Sequence, residues 1–255
     1  MLVFRYDKTF EGLMSAVFDA YHLRMVPDRV VGVREPEPMF TERVHEVETS
    51  YAKSDRVWAG VRRKIPRNVC NMITHVWLSE EEDSDELIFR YLRKVFDSKE
   101  LVVANFTDDD VLAMQKLAQK VSWEASRIRQ FARFQKADDE TYFAPIAPVY
   151  NALPLSLGYF RDRFADQKWI VYDVKRNYGY YYDLKAVAEI SLLDNGHNLH
   201  GKLDEKLLAE DEKLFQEMWR SYFKALTIKE RKNPKLQRQH MPRRYWKYIT
   251  ELQQP

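Results

Sequence analysis

The spacing of apolar positions changes along this chain from helical to alternating and back. Leu2–Tyr6 reads as a short strand, and Thr9 caps a helix whose apolar face is Leu13, Val17, Ala20 and Tyr21. The stretch from Pro27 to Pro38 holds three prolines and reads as a loop. Phe40–Glu48 alternates weakly, a pattern that fits pairing with the first strand. Ser54 or Asp55 opens a helix carrying Val57, Trp58 and Val61, closed at Ile65-Pro66, and two more helices follow near Arg67–Leu78 and Asp85–Phe96.

Thr107-Asp-Asp-Asp110 is a helix start: a hydroxyl N-cap followed by carboxylates in the first turn, where the helix dipole favours them. Behind it Val111, Met114, Ala118, Val121, Ala125, Ile128 and Ala132 recur at three- and four-residue steps, one buried stripe on a long helix. Lys116, Lys120, Arg127, Arg129 and Arg133 occupy its other faces. The period then shortens. Phe131–Gln135 and Tyr142–Ile146 flank the polar 136–140 segment as a hairpin would. Trp169–Asp173 and Tyr178–Tyr182 do the same around 174–177, and Val187–Leu193 suits a further strand. Leu153–Phe164 reads as a crossover helix between the hairpins. From Leu207 to Leu226 the pattern is helical again, ending before Asn233-Pro234. No repeat of 20–50 residues recurs. The expected class is α+β: helix-rich, with a small, mainly antiparallel sheet built from central hairpins, arranged as a single domain over residues 1–255 with a subdivision allowed near residue 106.

Composition narrows the chemistry. The 255 residues are 45% hydrophobic and 31% charged, as in a folded globular protein. Seven glycines, none in a phosphate-loop spacing, argue against Walker and Rossmann nucleotide sites. The single cysteine, Cys70, excludes an intramolecular disulfide and a cysteine-rich metal site, and its helical apolar surroundings suit an inert core residue. An early acid and no apolar run at the start do not match a signal peptide, so a cytoplasmic location with no membrane partner is expected.

Charge is segregated beneath a near-neutral total of +2. Residues 220–248 hold ten Lys or Arg against one acid, Glu230, a net of +9; the remainder carries 31 basic and 38 acidic residues, a net of −7. A cationic end on an acidic body is what a polyanion-binding protein needs, and it equally suits a solvated basic tail. The opposite cluster, six acids between Glu80 and Glu86, reads as a solvated loop leading into a helix N-terminus.

Catalytic patterns are mostly missing. His197 and His200, beside Asp194, are spaced to share a metal, but they lie in a turn-rich stretch where exposed loop histidines are the simpler reading. His45 fits a sheet-face histidine or a proton-transfer group. Glu46, Glu48, Asp173 and Asp183 are carboxylates that acid–base chemistry on a base would use. Neither a catalytic set nor a cofactor or metal site is assigned. Of Tyr180, Tyr181 and Tyr182, at least one must point away from the core of its strand, either to stack on a nucleobase near Arg176 or to pair across strands; cross-strand pairing is the preferred reading.

The sharpest feature is the tail. Asn233-Pro234 and Met241-Pro242 divide it into short pieces, and Arg243-Arg-Tyr-Trp246 interleaves guanidinium groups with rings. Guanidinium forks bind phosphate and rings stack on unpaired bases, so Arg231, Lys235, Arg238, Arg243, Arg244, Tyr245, Trp246 and Lys247 are the candidate nucleic-acid contacts. The alternative is a tail packing Trp246 and Tyr248 back on the body with arginines paired to acids. Both hold together if anchored rings present the arginines.

Several segments carry a family resemblance: Asp7–Leu13 with Val17–Tyr21, Val121–Ala125, Tyr142–Ile146, Trp169–Asp173 with Arg176–Gly179, Glu230–Arg238 and Met241–Tyr248. With these the sequence resembles an uncharacterised bacterial family associated with DNA metabolism and DNA repair, across nearly its whole length. The resemblance implies a radical SAM DNA repair protein as partner and, in some members, fusion to a uracil-DNA glycosylase-like region. It supplies no catalytic residues, and with the sequence ending at Pro255 there is no room for the fused region, so base excision is not assigned. The leading reading is a DNA-binding accessory partner of a radical SAM enzyme. An enzyme acting directly on damaged bases and a protein–protein adaptor are the alternatives.

Overall fold

The computed structural model describes residues 1–98, 105–191 and 207–252, and the chain divides into two compact units, Met1–Val121 and Ser122–Pro255. It is α+β and helix-rich. Among the described residues no helix is long and apolar enough to cross a membrane.

The first unit is built on β1 (Leu2–Tyr6), the middle strand of a three-stranded parallel sheet ordered β2-β1-β3. Val3, Phe4 and Tyr6 are wholly buried, as expected for a strand covered on both faces. Helix α1 (Phe10–His22) starts where Thr9 accepts a hydrogen bond from the Gly12 N–H at 2.9 Å, and it leads to β2 (Arg29–Gly32). Strand β2 lies inside the stretch read from sequence as a loop. Of the three valines in that stretch Val30 and Val31 are buried and Val33 is exposed, too short a run to show a period. Strand β3 (Arg43–Glu46) pairs with β1 as expected, but in parallel.

Helices α2 (Tyr51–Lys64), α3 (Arg67–Trp77) and α4 (Ser84–Asp97) complete this unit. Their core includes Val57, Val61, Ile73, Ile88 and Leu92. Helix α2 starts at Tyr51, ahead of Ser54, and with Tyr51 exposed no buried stripe announces that first turn. The acidic cluster ahead of α4 is only partly solvated: Asp85 is buried and accepts from the Tyr6 hydroxyl at 2.8 Å and from Lys8 Nζ at 2.7 Å. Helix α5 (Asp109–Phe131) buries the expected stripe from Val111 to Ile128, with Val111, Met114 and Ala118 in the first unit's core.

The second unit holds a five-stranded sheet, ordered β4 (Gln135–Lys136), β5 (Tyr142–Ile146), β6 (Trp169–Asp173), β7 (Tyr178–Tyr182), β8 (Val187–Ile190). The β6–β7 hairpin forms as expected and β8 adds antiparallel to β7, but of the expected first strand Phe131–Gln135 only Gln135 joins a strand: Phe131 ends α5, and the two-residue β4 pairs with β5. The sheets are nevertheless not mainly antiparallel. One is parallel throughout, and β5 pairs with β6 in parallel because α6 (Leu157–Arg163) crosses between them. Trp169 stacks on Tyr182 with ring centroids 5.4 Å apart, and the Tyr180 hydroxyl donates to Glu189, so the tyrosine strand is committed to cross-strand contacts. Gly179 faces Tyr172 across that pair, where a Cβ would lie 2.5 Å from the Val171 carbonyl oxygen.

Candidate nucleic-acid interface

The C-terminal basic segment folds as a series of short pieces. Helix α7 (Glu212–Leu226) is pinned at its start by the buried Glu212, which accepts from the Lys136 N–H at 3.0 Å. Its apolar side stays open: Leu214, Phe215, Met218, Trp219, Tyr222 and Leu226 are all exposed. A 3-10 turn at Lys229–Arg231 follows, then α8 (Pro234–His240), started by Asn233 accepting from the Leu236 N–H at 3.0 Å. Proline at the first helical position costs nothing there, because that N–H has no partner in any helix. Helix α9 (Arg243–Trp246) and a 3-10 turn, Thr250–Leu252, close the unit.

These pieces enclose a cleft of about 830 Å3. Arg220, Lys224, Lys229, Arg231 and Lys232 line it together with His240, and Phe223, Ile228, Pro234, Leu236 and Leu252 supply its apolar wall. No carboxylate among the described residues pairs with any of those five Lys and Arg. The one acid lining the cleft, Glu251, accepts from Arg133 at 2.7 Å and from the Trp219 indole N–H at 3.0 Å. Its charge is thus matched by Arg133, and these bonds hold its carboxyl below the usual range although burial pushes it up.

The tail residues singled out from sequence separate into two groups. Arg231 lines the cleft, and Lys235 and Arg238 stand exposed on α8. Arg243 is exposed, its guanidinium 5.9 Å from the Trp246 ring centre, while Lys247 is exposed with its ammonium 4.7 Å from the Tyr248 ring centre. Arg244 and Tyr245 turn inward. Arg244 Nη2 donates to Glu124 at 2.6 Å, and Tyr245, buried against Phe131 and Ile249, donates its hydroxyl to the same carboxylate at 2.7 Å. Tyr245 therefore offers no face to a base, and Arg244 is spent on a protein carboxylate. Half-buried Trp246 donates its indole N–H to the Met241 carbonyl at 2.9 Å.

Two elements of the site escaped sequence reading. Arg220, Phe223 and Lys224 entered only as charge or as apolar periodicity, although their three- and four-residue spacing places them on one side of α7. Glu124 sits inside the Val121–Ala125 motif, a carboxylate beside a buried stripe. It is 1% exposed and also accepts from the Val149 N–H at 2.8 Å. Burial alone would raise its carboxyl; the bonds from Val149, Tyr245 and Arg244 outweigh that and hold it below the ordinary value.

Most of the other candidate groups have structural employment, while Glu48 is exposed. Glu46 pairs with Arg5 at 3.0 Å, His45 with Asp19 at 3.0 Å, and Asp183 accepts the Lys185 and Ala186 N–H groups of a turn. Asp173 is wholly buried, paired with Arg176 at 2.8 Å, and burial pushes its carboxyl up. Burial also raises the Cys70 thiol, away from the thiolate that a nucleophile requires. His197 and His200 lie outside the described residues. Among those described, no cluster of His, Cys, Asp and Glu is arranged to hold a metal.

Residues 82–251 match the family model DUF4130, a domain of unknown function. No curated protein matches the sequence. Among solved structures the chain is similar to the pGpG-specific phosphodiesterase PggH from Vibrio cholerae, at 10% identity and a TM-score of 0.28 over 88% of this chain and 98% of that one. A likeness that faint carries no argument about activity.

Proposed function

The chain belongs to the DUF4130 family, and for this member of it we propose a DNA-binding accessory role, exercised by the cationic cleft of the C-terminal unit. The observation that carries the reading is the set of five cations around one cleft, with no carboxylate partner among the described residues. Cations left unpaired at a concave surface concentrate the local field, and phosphate is the anion that a row of Lys and Arg suits. The anchored half of the tail supports it: Glu124, Arg244 and Tyr245 fix the polypeptide that presents the exposed half. With the one carboxylate that lines it among the described residues matched by Arg133, the cleft favours binding over acid–base chemistry on a base.

The test is fluorescence anisotropy of the full chain with labelled oligonucleotides across a salt series. Five phosphate contacts correspond to a slope of log affinity against log salt of about −3 to −5. A Lys229→Ala, Arg231→Ala, Lys232→Ala triple variant is expected to flatten that slope by about 2 to 3 and to weaken binding to all sequences alike. Absence of binding at low salt, or a triple variant indistinguishable from the parent, would defeat the reading. The finer assignment, service to a radical SAM enzyme, rests on the family resemblance and is tested by co-purification with that protein.

The open apolar side of α7 favours a second reading, a protein–protein adaptor. In that case a partner co-purifies while free DNA fails to bind at moderate salt.

A further inference from the structure

We infer that the cleft takes an unpaired DNA strand in preference to duplex, with bases against its apolar wall and phosphates on its cationic rim; this rests on the DNA-binding reading above. Cations alone would serve either form, since both present phosphates. The discriminating feature is what lies between them. Phe223 lines the cleft with Arg220 and Lys224, and Ile228 and Leu236 line it with Lys229, Arg231 and Lys232. These apolar groups remain 40–51% exposed. In a double helix the base faces are stacked on one another, so apolar side chains facing its backbone meet only sugar, phosphate and water. In a single strand the faces are free, and sequence-tolerant stacking on a ring becomes available.

Size points the same way. A cleft of about 830 Å3 falls within the roughly 300–1,000 Å3 that encloses a small molecule. It can admit individual bases but not a double helix. Beside it, Trp219 and Tyr222 form a tilted pair with ring centres 5.7 Å apart, both about half exposed, and Trp219 is tied to the cleft through Glu251. They place further exposed ring surface on the same helix as Phe223.

The experiment compares a 20-nucleotide single strand with its own duplex, at one salt concentration, using the full chain, Phe223→Ala and Phe223→Tyr. The parent is expected to hold the single strand about tenfold or more tighter than duplex. Phe223→Ala should lose about tenfold on the single strand, the effect of removing one stacking ring, and Phe223→Tyr should retain the parent affinity. Duplex affinity should stay within about twofold for all three, because the phosphate contacts are untouched. Phe223 is exposed enough that its truncation leaves the unit folded, which thermal melting of each variant verifies. Duplex bound as tightly as single strand, or Phe223→Ala weakening both equally, overturns the inference while leaving DNA binding in place. Failure to bind either form removes both.

Discussion

Replacing Glu124 by Ala is expected to destabilise the C-terminal unit by about 2–4 kcal/mol. The carboxylate accepts four donors: the Val149 N–H at 2.8 Å, the Tyr245 hydroxyl at 2.7 Å, Arg244 at 2.6 Å and Arg127 at 3.2 Å. Truncation leaves the Tyr245 hydroxyl without an acceptor away from water, at about 1–3 kcal/mol, whereas Val149 is exposed and its N–H can turn to water, so that bond adds about 1 kcal/mol. Arg244 and Arg127 are about a third exposed and can turn to solvent, so together they add no more than about 1 kcal/mol. Glu124→Gln keeps a carbonyl for Val149 and Tyr245 but points an amide at two guanidinium groups, and should fall between parent and Ala. The assay is urea unfolding of the full chain followed by tryptophan fluorescence. Four of the six tryptophans (Trp123, Trp169, Trp219 and Trp246) lie in this unit, so the signal reports mainly on it. With a slope of about 2 kcal/mol per molar urea, Glu124→Ala should lower the midpoint by about 1–2 M. A shift below about 0.5 M would refute the claim that this carboxylate holds the tail. The same variant should weaken DNA binding, since Tyr245 and Ile249 are what seat the chain leading to Glu251 and Leu252 in the cleft wall.

Two further outcomes follow from the same geometry. Glu124 and Glu251 both carry carboxyls depressed in the folded state, so the stability they contribute is fully present above the unfolded glutamate value of about 4.3 and disappears as pH falls through their folded values. Stability measured by urea titration should therefore decline on acidification below about pH 4, less steeply in Glu124→Gln; an unchanged decline in that variant would contradict the assignment. Gly179→Ala should cost about 1–3 kcal/mol by forcing a Cβ against the Val171 carbonyl and Tyr172, which a thermal melt lowered by roughly 5–10 °C would register and an unshifted melt would deny.

What could be read from the sequence was whatever one segment announces by itself. Helix α5 declared its buried side, since a stripe from Val111 to Ile128 repeats often enough to exclude other periods, but its cap is the Asp108 carboxylate, which accepts the Asp110 and Val111 N–H groups, and not the Thr107 hydroxyl, which donates to Asn105. The β6–β7 hairpin was equally local, two alternating runs and a polar turn. Pairing partners were a different matter. The direction in which β5 meets β6 is decided by the helix that crosses between them, and β2 owes its place to Val30 and Val31 fitting beside β1. Neither relation leaves a mark on the residues of one strand.

The tail makes the same point about charge. Arg243 and Arg244 are chemically identical neighbours, yet one is exposed and the other is paired with Glu124, 120 positions away in sequence. Charge counting assigns both to a ligand; only the location of the carboxylate separates them. The division also explains why one segment can both hold and bind. A free cationic tail would lose much conformational entropy on meeting a nucleic acid, whereas a tail already fixed at Tyr245 and Ile249 has lost part of that freedom during folding. Neutralising Arg244 internally therefore removes one contact from the ligand but lowers the cost of making the others. It follows that Arg244→Ala should weaken binding through the presentation of Arg231 and its neighbours, with little change in the number of phosphates engaged.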